Sequence, residues 1–123
     1  MCLQKVSPVK PEPNGYGYKV LIVDGDTLLS ACMGTTNPWR TWIKANVSIY
    51  GDNEVGFHIY RTREKAEQCI RWYDNLYSGH EIKHRPNYRV FKVEYRQATL
   101  QGIGDGGFTK NAKVIVAQEM FIL

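Results

Sequence analysis

Residues 56–77 read GFHIYRTREKAEQCIRWYDNLY, and within them the apolar period changes from that of a strand to that of a helix. Phe57 and Ile59 share one face of an extended segment, Val55 to Tyr60, so His58 shares the other face with Gly56 and Tyr60. Gly56 inside that pattern marks a bulge or a close approach of another backbone. Thr62 stands where a helix N-cap belongs, its hydroxyl able to accept from the first unpaired helix amides. Ala66, Cys69, Ile70, Tyr73 and Tyr77 follow at steps of three and four as one apolar stripe. Glu64, Lys65, Glu67, Arg71 and Asp74 fall on the water side. Gly79 is a natural left-handed C-cap, so the spacing predicts one main helix over about 62–78.

The flanking segments read as strands. Tyr18 to Val23 is an apolar run of strand type, and Asp24-Gly25-Asp26 predicts a hairpin turn into Thr27–Ala31. Trp39, Thr41, Ile43, Ala45, Val47 and Ile49 alternate with mostly polar neighbours, which predicts a half-buried strand ended by Gly51-Asp52-Asn53. On such a strand Trp39 and Trp42 lie on opposite faces, leaving at least one ring available to a partner. Tyr88 to Tyr95 is a strand with Val90 opposite Phe91, Val93 and Tyr95. The run Gly102-Ile103-Gly104-Asp105-Gly106-Gly107 reads as a mobile turn, and Val114 to Leu123 as a final, largely buried strand. The expected fold is α+β: a twisted, mostly antiparallel sheet packed on the main helix, forming a single domain over residues 16–123. Pro8, Pro11 and Pro13 make residues 1–15 an extended arm, because proline fixes φ and lacks the backbone donor.

The chain has 123 residues, 43% hydrophobic and 23% charged, which is ordinary globular usage for one domain. No run approaches the roughly 18 apolar residues of a membrane span, and MCLQKVSPVKPEPNGYG lacks the apolar core of a secretory signal. The expected compartment is the cytoplasm. Three cysteines without C-x-x-C spacing, Cys2, Cys32 and Cys69, argue against a disulfide framework or a zinc knuckle. Cys32 and Cys69 sit in apolar company and read as small buried hydrophobes. The net charge of +4 permits a nucleic acid or an anionic nucleotide as partner without requiring either.

Several patterns suggest chemistry. His80-Glu81-Ile82-Lys83-His84 matches H-E-x-x-H, in which two histidines on one helix face hold zinc. Gly79 before it and Arg85-Pro86 after it deny the required helix, and no histidine follows as third ligand, so no metal site is expected. The glycine run lacks the following helix of a dinucleotide-binding fingerprint and reads as a long hairpin loop. Cys2, exposed by removal of Met1, would carry its own α-amine as a local base, but an idle cysteine is the expectation. His58, beside Tyr60 and ahead of a helix, is suited to bind an anion or position a sugar hydroxyl; a packing histidine is the alternative.

The start Met1-Cys2-Leu3, the strand Tyr18-Lys19-Val20-Leu21 and the motif Gly56-Phe57-His58-x-Tyr60-x-Thr62-x-x-x-Ala66 together resemble a group of short uncharacterised proteins from phages and gut bacteria. The similarity continues through Val90-Phe91-Lys92-Val93, Gly102 and the closing strand. The central motif also resembles a segment of the ADP-ribosyltransferase superfamily, where a G-[FIL]-[YH]-x-[TS] strand leads to a helix with an early alanine and helps to form the NAD cleft. That resemblance implies roles for an early-strand cation, near Lys19, and for a late glutamate, near Glu119. The full catalytic set is not matched, so a binding version is implied over an active enzyme.

The expected function is therefore that of a small, non-enzymatic accessory binding protein of phage or mobile-element type. It would sequester a nucleotide-like ligand or block a host defence protein, without a cofactor and without a membrane. The expected ligand-binding residues are His58, Tyr60, Thr62 and Lys19. An ADP-ribosyltransferase-like enzyme using NAD through His58 and Tyr60 is the first alternative, and a nucleic-acid-binding protein the second.

Overall fold

The computed structural model describes residues 3–30, 36–45, 56–77, 86–104 and 113–123. Among them are eight strands and one helix: β1 (Leu3–Val6), β2 (Gly15–Asp24), β3 (Thr27–Ser30), β4 (Thr36–Asn37), β5 (Trp42–Lys44), β6 (Phe57–Tyr60), α1 (Arg63–Tyr77), β7 (Tyr88–Gly104) and β8 (Lys113–Ile122). Every recorded strand pairing is antiparallel. The described residues thus form an α+β arrangement, one helix against an antiparallel sheet.

The long strand β7 organises that sheet. Its first half pairs with β2, from Tyr88↔Ile22 to Tyr95↔Gly15, and its second half pairs with β8 as far as Ile103↔Lys113. β8 in turn pairs with β6, and β6 meets β2 at Tyr18↔Tyr60, so the path β7-β8-β6-β2 returns to β7. The sheet thus closes on itself. Closure needs strong curvature in β7, which Gln97 at φ 56° and a register break between Ala98 and Leu100 supply.

Curvature gives the sheet two cores. On the helix side Val20, Tyr60, Tyr88, Val114 and Val116 pack with Ala66 and Cys69 of α1. On the other side Leu21, Leu28, Ile59, Val93, Tyr95, Ile115, Ala117, Met120 and Ile122 form a second cluster. Alternation along β2 and β6 feeds both: Val20 and Tyr60 go one way, Leu21 and Ile59 the other. Burial holds the Tyr95 hydroxyl above its ordinary pKa; Arg61 opposes that shift and Glu12 adds to it.

The helix follows its sequence pattern. Ala66, Cys69, Ile70 and Tyr73 face the sheet, and Cys69 is a buried thiol in that core. The Lys65 amide donates to Thr62 Oγ1 at 3.3 Å, which is the N-cap bond. Thr62→Ala is expected to cost about 1 kcal/mol. Chemical denaturation would show it as a lower midpoint with an unchanged slope.

Two expectations are corrected. The alternation from Trp39 to Ile49 does not form one strand; only Trp42–Lys44 is extended, and residues 46–55 lie outside those described. Arg40 sits at φ 50° and its amide donates to Ile122 O at 3.2 Å, so the chain turns at Trp39-Arg40 before β5 begins. Gly102-Ile103-Gly104 is strand rather than mobile turn: it continues β7 between β1 and β8, with Val6 and Val114 both opposite Gly102. The N-terminal segment is extended, and it is also tied to β7 by the bonds Ser7 N to Gln101 O and Ala98 N to Pro13 O. His80–His84, Cys2, Cys32, Gly79 and Asp105–Gly107 lie outside the described residues.

Candidate functional site

The four expected ligand-binding residues do not converge on one site, although Lys19 touches the His58 main chain. Tyr60 is 2% exposed and belongs to the helix-side core, beside Ala66 and Val116. Thr62 is exposed and caps α1. His58 is half-buried opposite Val116, with Nε2 shielded from solvent. Lys19 is part-buried, and its Nζ donates to the His58 carbonyl at 3.0 Å.

That last bond has a clear cause. β2 and β6 share a single bridge, Tyr18↔Tyr60. Next to that bridge the lysine ammonium, rather than a backbone amide, donates to the His58 carbonyl. Lys19 and His58 are therefore brought together through a main-chain oxygen. Glu119, the late carboxylate considered for an enzyme, is 8% exposed and held by Arg96 Nε at 3.1 Å.

The residue between Tyr60 and Thr62 leads to a different site. Arg61, Lys113, Gln101 and Ser7 line an open cleft of about 570 Å³ at the end of the sheet where β6, β7 and β8 meet. Pro8, Ile103 and Val114 supply apolar wall, and Gly102 leaves room beside it. Arg61 Nη2 donates to Gln101 Oε1 at 3.0 Å, and Gln101 Nε2 donates to Val9 O at 2.8 Å. The Arg61 amide also donates to Lys113 O at 3.2 Å, fixing the two cationic residues side by side. Gln101 uses one of the five guanidinium donors and orients the plane of the rest.

Among the described residues no carboxylate lines this cleft, while two cations and a hydroxyl do. Such a set can hold an anion: guanidinium matches phosphate or carboxylate geometry, and an ammonium beside it adds a point charge. A second cavity of about 340 Å³, lined by Ile70, Asp74, Pro86, Asn87, Tyr88 and Arg89, mixes both signs of charge and favours neither. Among the described residues no group of His, Cys, Asp and Glu is arranged to hold a metal ion, and no helix is long and apolar enough to cross a membrane.

The cleft was not legible from local sequence, because its walls come from residues 7–8, 61, 101–103 and 113–114. Arg61 and Gln101 were ordinary polar residues until the register placed them together. The signal nearest to them was the strand–helix junction itself, which ends at Arg61. No family model matches the chain, and neither a curated protein nor a solved structure matches it, which leaves these side chains as the ground for a functional reading.

Proposed function

We propose that the protein is a non-enzymatic binding protein for a small anionic, nucleotide-like ligand seated in the Arg61–Lys113 cleft. One observation carries this reading: two cations and a hydroxyl line the cleft together with apolar wall, and among the described residues no acid does. The cleft's size lies within the usual range of about 300–1,000 Å³ for small-ligand sites. A phosphate would pair with the guanidinium and ammonium, and the ring or sugar would lie against Pro8 and Ile103. The resemblance to short phage and gut-bacterial proteins supports an accessory role such as sequestration.

Titration calorimetry with inorganic phosphate and with a nucleoside monophosphate tests the reading. The nucleotide is expected to bind more tightly than phosphate and to be recovered unchanged. Arg61→Ala and Lys113→Ala are each expected to weaken it about tenfold or more, since a bond to a charged group contributes about 1.5–3 kcal/mol. Heat signals absent for both ligands, affinity indifferent to both substitutions, or turnover of the nucleotide would each overturn the proposal.

A further inference from the structure

Among the described residues, the helix covers only half of its face of the sheet. On β7 the residues Tyr88, Val90, Lys92, Glu94 and Arg96 point to that face by alternation, and the helix-side core includes only Tyr88 and Val90 of these. Beyond them, directly opposed residues form a row across four strands: Tyr16 on β2, Glu94 on β7, Phe121 on β8 and Trp42 on β5. The next row holds Arg96, Glu119 and Lys44.

Each end of the aromatic row carries a cation. Lys92 Nζ stands 5.4 Å from the centroid of Tyr16, which is 60% exposed. The Arg96 guanidinium lies 3.5 Å from the centroid of Trp42, and Trp42 packs against Phe121 at 5.4 Å. Glu119 is paired to Arg96, so among the described residues of this face the other charges are Lys44 and Lys92 against Glu94. Rings framed by cations do not make the contiguous apolar patch of a protein–protein core. They match a chain in which flat bases alternate with phosphates, and guanidinium planes stack on bases as rings do.

We propose that this aromatic and cationic face binds single-stranded nucleic acid, with two or three bases stacked on Tyr16, Phe121 and the Arg96–Trp42 pair and phosphates beside Lys92 and Lys44. The surface is distinct from the Arg61 cleft, and the chain's net charge of +4 has the sign that attracts it.

Fluorescence anisotropy with a labelled oligo-dT and its duplex tests the proposal. The single strand is expected to bind and the duplex to bind more weakly. Affinity should fall with salt at a log–log slope of about −1.5 to −2, as two or three phosphate contacts require. Tyr16→Ala and Phe121→Ala should each weaken binding by roughly five- to a hundredfold. Tyr16 is largely exposed, so its variant keeps the test valid should Phe121→Ala fold poorly by circular dichroism. Arg61→Ala should leave oligonucleotide binding unchanged, which separates this surface from the cleft. Trp39→Ala should also leave it unchanged, because Trp39 packs on Phe91 of the opposite face. No binding at low salt, equal binding of duplex, or indifference to both Tyr16→Ala and Phe121→Ala would overturn it. Self-association lost in Phe121→Ala, with no oligonucleotide bound, would reassign the face to a protein interface.

Discussion

Gly17→Ala is expected to destabilise the protein by about 3 kcal/mol, and most of that loss should disappear when Ile59 is also replaced by alanine. Gly17 lies next to the single bridge between β2 and β6, where the sheet closes. A Cβ there would overlap Ile59 Cγ2 and stand 2.8 Å from the Tyr60 carbonyl oxygen. One obstacle is a buried methyl and the other is backbone, so neither moves away freely. Ile59→Ala alone opens a cavity at a fully buried position and should cost about 3–4 kcal/mol. In the double variant the new methyl occupies part of that cavity, leaving only the contact with the Tyr60 oxygen. The sum of the single losses should therefore exceed the double loss by about 2 kcal/mol, a coupling that equilibrium denaturation resolves. Additive losses would show that β2 and β6 can separate at Gly17 without disturbing Ile59.

Gly56→Ala should be nearly as damaging, at about 3 kcal/mol, and should lower the melting temperature by on the order of 10 °C. Gly56 stands at φ 152°, a conformation that side chains other than hydrogen rarely adopt. A Cβ would also sit 2.8 Å from both Ala117 O and Val116 Cγ1. The effect reaches the functional surface, because Gly56 sets where β6 begins against β8, from Phe57↔Ala117 to Tyr60↔Val114. Arg61 follows that ladder directly. A folded Gly56→Ala protein should accordingly lose affinity for a nucleoside monophosphate more than Thr62→Ala does, although both changes flank the same strand–helix segment. Calorimetry at a temperature where both variants remain folded makes that comparison. Equal affinities would mean that Arg61 is positioned by Gln101 and Lys113 alone.

Local pattern and tertiary register contributed different parts of this protein. Phe57–Tyr60, the Thr62 cap, the Ala66–Cys69–Ile70–Tyr73 stripe, the turn after Asp24 and the opposition of Val90 to Phe91, Val93 and Tyr95 are all relations between residues a few positions apart. Alternation and helical spacing encode such relations directly, so the sequence by itself determined these elements and the two faces that they offer. The Gly56 signal belongs here too, since a glycine within a strand pattern already announced a close backbone approach.

Which strand lies beside which is another matter. Arg61 meets Gln101 and Gln101 meets Val9 across 40 and 92 residues, and no local period records either contact. The same holds for the curl of β7 through Gln97, which carries Gly102–Gly104 into the sheet although their composition reads as turn. Trp39 shows the converse: its alternation looked like strand, but the left-handed Arg40 and the bond to Ile122 O turn the chain there. Strand partners are chosen by which faces can be buried together, and that choice is made by the whole chain at once. The sequence fixes faces and breaks; only the closed sheet decides that Arg61, Gln101 and Lys113 share one cleft and that Tyr16, Phe121 and Trp42 share one row.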